Sequence, residues 1–211
     1  MLVVGLAVLA YGWWRVSEHM AWSRRIAEAG FAGVLAAPKE GDRILVVAPH
    51  PDDEAIGCAG IVQAAVRAGA EVHVALMTNG DASELALIFD EKTLRLTPEG
   101  FLRLGRDRQK ESVRGMGSLG VPSDHIHFLG YPNGGLASLW RPEHWPRSAR
   151  FTSATTHCNF SPYQNSYSAR APYCGEQVYA DLLSLLSRLR PTQVFVTHPQ
   201  DVHPDHWATS A

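Results

Sequence analysis

Ile44-Leu45-Val46-Val47-Ala48-Pro49-His50-Pro51-Asp52-Asp53-Glu54 joins an apolar run to a polar cluster without a spacer. The run from Ile44 to Ala48, rich in β-branched side chains, reads as a buried strand. Pro49 and Pro51 bar a helix from starting before Asp52. One imidazole and three carboxylates therefore gather at the carboxyl end of a strand, where open α/β sheets hold their ligands. Three acids in consecutive positions repel one another in a partly buried loop unless something positive sits among them. A divalent metal ion is the simplest such partner.

A second cluster, His198-Pro199-Gln200-Asp201-Val202-His203-Pro204-Asp205-His206, again follows an apolar run, Val194-Phe195-Val196. Two His/Asp clusters at two strand ends point to a hydrolytic metal site. A catalytic zinc needs three protein ligands and an open position, and the clusters also hold a carboxylate to serve as general base and an imidazole to serve as acid. Spacing alone leaves open whether Asp52 or Asp53 is the ligand.

Between the clusters the pattern alternates strand and helix. Small apolar residues from Glu54 to Ala68 carry Ala55, Ile56, Ala59, Val62 and Val66 at helical spacing, and Gly69 stands where a left-handed cap is wanted. Val72 to Met77 reads as a second strand, parallel to the first across a helical crossover. Residues 81–100 read as an irregular excursion over the site, 105–119 as a helix, and 126–129 as a third strand. The long segment 136–172, rich in Trp, Pro, Ser, Tyr and Asn, reads as a lid or binding loop. A helix over 177–189 and a strand over 193–197 complete the order. The expectation is a doubly wound, mostly parallel Rossmann-like α/β sheet with helices on both faces and a ligand crevice at the strand tips. A helix should start near His206, yet the chain stops five residues later, so it reads as truncated at its C-terminus.

A formal net charge of −2 over 211 residues, with no basic stripe, excludes a nucleic-acid partner as a reading. Cys58, Cys158 and Cys174 form no Cys-x-x-Cys pair, so no thiolate zinc site is expected; Cys158 and Cys174 would pair only in an oxidising compartment. Residues 1–41 read as an apolar segment, a helix and a linker ahead of a domain spanning 42–211. Leu2 to Trp14 is uncharged, and Trp13, Trp14 and the arginines behind them suit a membrane anchor with a cytoplasmic catalytic domain. That stretch is nonetheless shorter than the roughly 18–20 residues of a spanning helix. A docked helix in a soluble cytoplasmic protein and a signal peptide are the alternatives.

The residues together resemble the LmbE-like or PIG-L deacetylases, zinc-dependent hydrolases that remove acetyl groups from N-acetylglucosamine moieties and related amides. The resemblance spans roughly 42–211 and is carried by His50-Pro51-Asp52-Asp53-Glu54 and His203-Pro204-Asp205-His206. It also includes Thr78-Asn79-Gly80, Arg108-x-x-Glu111 ahead of Leu119-Gly120-Val121, and Phe128-Leu129-Gly130-Tyr131-Pro132. It implies Zn2+, with Fe2+ as the alternative ion, held by His50, Asp53 and His206. It further implies Asp52 as general base, His203 as acid and oxyanion partner, and Asp205 as the group that holds His203. Glu54 would stand near the metal-bound histidine, and Arg108 and Asn79 would bind substrate or support the centre. The expected partner is a small-molecule or lipid-linked N-acetylated sugar. Two other readings stand beside it: a fragment that binds metal and glycan without turnover, and a two-His, one-carboxylate iron oxygenase, which belongs in an all-β barrel.

Single residues also have plainer readings. Asp201 suits a turn, His198 a backbone cap, and His125 and His127 a surface and a satisfied edge histidine. Arg108 and Glu111 suit a solvated helix pair, and Trp140 and Trp145 suit packing of the loop onto the domain.

Overall fold

A computed structural model describes residues 35–92 and 95–211, together with Trp13 and Ser17. The chain divides into two compact units, residues 1–37 and 38–211. The anchor expected at residues 2–14 and the helix expected after it fall almost wholly outside the described residues. Among the described residues no helix is long and apolar enough to cross a membrane.

In the second unit the elements run β1 (Arg43–Ala48), α1 (Asp53–Arg67), β2 (Glu71–Thr78), α2 (Glu84–Glu91), α3 (Pro98–Ser118), β3 (Ile126–Tyr131), α4 (Leu136–Leu139), α5 (Gly175–Leu189), β4 (Gln193–Val196) and α6 (Pro204–Ser210). The four strands form one parallel sheet in the order β3-β2-β1-β4. Val46 of β1 lies opposite Val74 of β2 on one side and Phe195 of β4 on the other. The strand order reverses at β1, so a crevice opens beyond the carboxyl ends of β1 and β4. Both His/Asp clusters flank that crevice.

The apolar run of β1 is continuous because both faces of a central parallel strand are covered. Ile44, Val46 and Ala48 point to one face, with Val74 and Leu76 of β2 and Phe128 of β3, and meet Val62 and Ala65 of α1 and Met116 of α3. Leu45 and Val47 point to the other, with Ala75, Met77, Leu129 and Tyr131, and meet Leu136, Leu139, Val178, Leu185 and Ala208. Truncating a side chain as enclosed as Leu45 or Leu76 to alanine would cost about 2–5 kcal/mol. Gly69 takes φ +77° after α1, as its capping position requires. β4 is shorter and more open than expected, with Val194 and Val196 exposed.

Two stretches differ from expectation. The excursion 81–100 contains α2 and the first turn of α3. Ser83 accepts a hydrogen bond from the Ala86 N–H at 3.3 Å, and Thr97 accepts one from Gly100 N–H at 3.1 Å with Pro98 in the first turn. These N-caps start helices where apolar periodicity is faint. The 136–172 segment is not a free lid. Ala171 and Tyr173 are buried in the sheet's second core, with Phe151 packed against it, and Trp140 Nε1 donates to Ala208 O at 2.9 Å. The two tryptophans therefore pack the loop onto the domain, with ring centroids 5.7 Å apart. All three cysteines are free thiols.

Candidate metal centre

The loop after β1 is pinned to the end of β2: Thr78 N–H and Oγ1 both donate to Pro49 O, at 3.0 and 2.8 Å. This holds His50 at the crevice. Asp53 opens α1, where the helix N-terminus favours a carboxylate. Its Oδ2 accepts from His50 N–H at 3.1 Å. On the opposite lip His203 caps α6 and Pro204 fills its first turn, so Asp205 and His206 project from that turn.

The two lips meet. Asp53 Oδ2 lies 3.2 Å from His50 Nδ1 and 3.4 Å from His206 Nε2. One donor atom each from His50, His203 and His206 falls within 4.8 Å of the others. The outer nitrogen of each inward-facing histidine carries a carboxylate: Asp205 Oδ2 lies 3.1 Å from His50 Nε2, and Asp201 Oδ2 lies 3.0 Å from His206 Nδ1. Such carboxylate–imidazole pairs set the tautomer and orientation of metal-binding histidines. The donor set of two imidazoles and one carboxylate oxygen suits a divalent ion, and the oxygen stands from each imidazole nitrogen at close to the roughly 3.4 Å edge of a tetrahedron with 2.1 Å bonds.

The electrostatics agree. Burial alone would lower His50, but hydrogen bonds with Asp205 and Asp53 outweigh it and push the imidazole up to about 9. Burial works against ionising Asp53, yet its bonds with His206 and His50 hold the carboxylate well below its ordinary range. His206 is likewise raised: burial opposes this, and the contacts with Asp53 and Asp201 prevail. The pocket stabilises positive charge between these groups, whether a proton or a metal cation supplies it. His203 is lowered, first by burial and then by the nearby His50. Its Nδ1 accepts from Asp205 N–H at 3.2 Å, so a neutral ring carries its proton on Nε2, as a donor.

Several expected roles need correction. Asp205 does not hold His203 through its carboxylate. That side chain is fully buried and accepts from Gly134 N–H at 2.6 Å, Leu136 N–H at 3.1 Å and His50. Glu54 takes its hydrogen bonds away from His50: it accepts from Asp52 N–H at 2.9 Å and Ser112 Oγ at 2.7 Å, and burial raises its carboxyl. Arg108 does not form the solvated pair with Glu111. It reaches across to Asp52 Oδ2 at 2.8 Å and to the carbonyls of Pro51 and Gly80. Asp52 itself takes φ 128°, a region L residues rarely adopt. Asn79 is fully buried, and neither of its amide atoms finds a hydrogen-bond partner among the described residues.

From the sequence Asp201 is expected as a turn residue. It is one, accepting from His203 N–H at 2.9 Å, but its second oxygen also serves His206. Its position five residues before a histidine, in a loop that folds back, was the available signal. His198 Nδ1 accepts from Gln200 N–H at 3.2 Å, a bond to a backbone N–H where capping of a backbone carbonyl was expected. Beside Asp52 lies a cavity of about 600 Å³, lined by Asp52, Arg108, Glu111, Ser83 and Phe89. A larger one, about 740 Å³, lies along α3 at Arg106 and Tyr163 and includes none of the His/Asp clusters.

A parallel sheet that gathers histidines and aspartates at its reversal point defines an α/β protein, and not the all-β barrel of the iron-oxygenase reading. The chain belongs to the PIG-L family, described as GlcNAc-PI de-N-acetylase, which matches residues 45–211. It is 33% identical over 172 residues to 1D-myo-inositol 2-acetamido-2-deoxy-alpha-D-glucopyranoside deacetylase of Mycobacterium sp. (strain KMS), covering 79% of this chain and 47% of the relative. The chain thus spans about half the length of the curated relatives it matches. In fold it is similar to N,N'-diacetylchitobiose deacetylase from Pyrococcus horikoshii (TM-score 0.51, 24% identity, 80% of this chain and 46% of that one). It is also similar to GalB, the 4-carboxy-2-hydroxymuconate hydratase of Pseudomonas putida (TM-score 0.53, 16% identity, 80% and 52%). One fold therefore serves different reactions, and the reaction must be argued from the site.

Proposed function

We propose that residues 42–211 form the catalytic unit of a metal-dependent N-deacetylase that hydrolyses the acetamido group of an N-acetylglucosamine-type sugar. The observation that carries this reading is the convergence of two carboxylate-backed histidines, His50 and His206, on one oxygen of Asp53. His50, Asp53 and His206 are the residues that would hold the ion, zinc or ferrous iron. When bound, the ion supplies Lewis acidity, polarising the amide carbonyl and making a water acidic near neutral pH.

The chain's own groups do the rest. Asp52 takes the proton of the attacking water, and Arg108 steers its carboxylate at 2.8 Å. His203, neutral with its proton on Nε2, donates a hydrogen bond to the carbonyl oxygen as charge develops there, and the proton that Asp52 took from the water goes on to the leaving amine. Asp205 and Asp201 keep His50 and His206 turned inward. The cavity beside Asp52 takes the sugar, with Phe89 and Ser83 on its wall. The C–N bond breaks, and acetate and a free amine leave. Among the relatives the named substrate is an acetamido-glucopyranoside of inositol, and a small N-acetylated sugar of that kind is the substrate class we assign here.

The test is acetate release from a panel of N-acetylglucosamine conjugates, with and without chelator. Zinc-restorable release supports the reading. Binding of zinc and sugar with no acetate released from any conjugate would overturn it.

A further inference from the structure

A second group of metal-ligating side chains lies at the other end of the sheet, away from the crevice. Glu71 and His73 occupy alternate positions at the start of β2 and so share one face of it. His125 directly precedes β3, and His127 lies on β3 opposite Ala75. One donor atom each from Glu71, His73 and His125 lies within 4.8 Å of the others. The His73 and His125 rings stack with centroids 4.0 Å apart, and His73 Nε2 is 2.8 Å from Glu71 Oε1.

Their hydrogen bonds orient the lone pairs. His125 Nδ1 is 2.9 Å from Val72 O, which can only accept, so the proton sits on Nδ1 and the Nε2 lone pair is left over. His73 Nδ1 lies 3.1 Å from His127 Nε2. With His73 donating there, its Nε2 lone pair faces the Glu71 carboxylate, and a metal cation would take the place of the proton that otherwise joins these two atoms at 2.8 Å. A backbone carbonyl behind one imidazole and a further imidazole behind the other are the kind of support that metal-binding histidines receive. Glu71 is half-exposed, which leaves a path for the ion and for water ligands.

We infer that Glu71, His73 and His125 form a second divalent-metal site, selective for imidazole-seeking ions such as Zn2+, Ni2+ or Cu2+, with His127 orienting His73. It lies on different residues from the crevice and requires nothing of the proposed reaction.

The experiment is metal stoichiometry on the full chain. Protein stripped with chelator is titrated with Zn2+ by calorimetry, and retained metal is counted by elemental analysis. Two equivalents are expected. His125→Ala should lose one of them or weaken it at least tenfold, while His206→Ala should lose the other. Because His73 is buried and its replacement can disturb folding, Glu71→Gln at the exposed ligand is the companion variant. It should weaken the same equivalent as His125→Ala, with an unchanged circular dichroism spectrum. A single equivalent in the wild type, abolished by His206→Ala and untouched by His125→Ala and Glu71→Gln, would overturn the second site. Two equivalents that both survive His125→Ala and Glu71→Gln would do so as well.

Discussion

The buried carboxylate of Asp205 accepts from Nε2 of His50 at 3.1 Å across 155 residues of sequence, and the same carboxylate takes the N–H groups of Gly134 and Leu136. One side chain thus ties together the loops after β1 and β3 and the start of α6. Asp205→Asn turns one acceptor oxygen into a donor facing other donors. Its expected effects are a loss of about 2–4 kcal/mol of stability and a zinc affinity 10–100-fold weaker. Urea denaturation and a zinc-chelator competition would read the two effects separately; unchanged affinity would remove Asp205 from its role behind His50.

Asp201 plays the matching part for His206 on a more open lip. Asp201→Asn keeps the turn acceptor for His203 N–H but weakens the hold on His206 Nδ1. Zinc affinity should fall about tenfold, with a stability change within about 1 kcal/mol. A larger loss of stability than of affinity would make Asp201 a turn residue only.

Asp52 and His206 should separate proton transfer from metal binding. Asp52→Ala should retain zinc and lose about 10²–10⁴-fold in turnover, the range for a general base. His206→Ala should lose the crevice metal itself, as counted after dialysis. An Asp52→Ala variant with full turnover would assign the base elsewhere.

Asp81, outside the proposed ligand set, supplies a pH test. Burial raises its carboxyl from 3.8 to about 6, against the opposing hydrogen bond from Tyr163 Oη at 2.5 Å. An acid raised on folding leaves stability intact below about pH 4 and erodes it as pH rises through about 6. Asp81→Asn, still able to accept from Tyr163, should therefore be more stable than the wild type by up to about 3 kcal/mol at pH 7.5. The gain should vanish at pH 4. Thermal melts across that range would show it, and equal gains at both ends would rule out ionisation as the cause.

The strands and the meeting of the two clusters could be read from the sequence because each cluster directly follows an apolar run, and parallel strands bring their carboxyl ends to one side. Partners set by loop geometry could not. Whether Asp205 faces His203 or His50 depends on where the Gly134–Leu136 backbone passes, and Glu54 turns toward Ser112 only because α3 crosses there. α2 and the start of α3 were hidden because their caps, Ser83 and Thr97, speak through hydrogen bonds and not through hydrophobic spacing. The histidines of β2 and β3 had a legible signal that a strand-by-strand reading passes over: acid and imidazole side chains two apart on neighbouring strands.

The pairing of Val46 with Phe195 also governs how the centre tolerates change. A slip of β4 by a single residue along β1 would shift the second lip by roughly 3.3 Å and turn its side chains to the opposite face. No rotamer adjustment of His206 would bridge that gap. Loop residues around the crevice can therefore drift while the centre persists, whereas an inserted or deleted residue within β4 should abolish it outright.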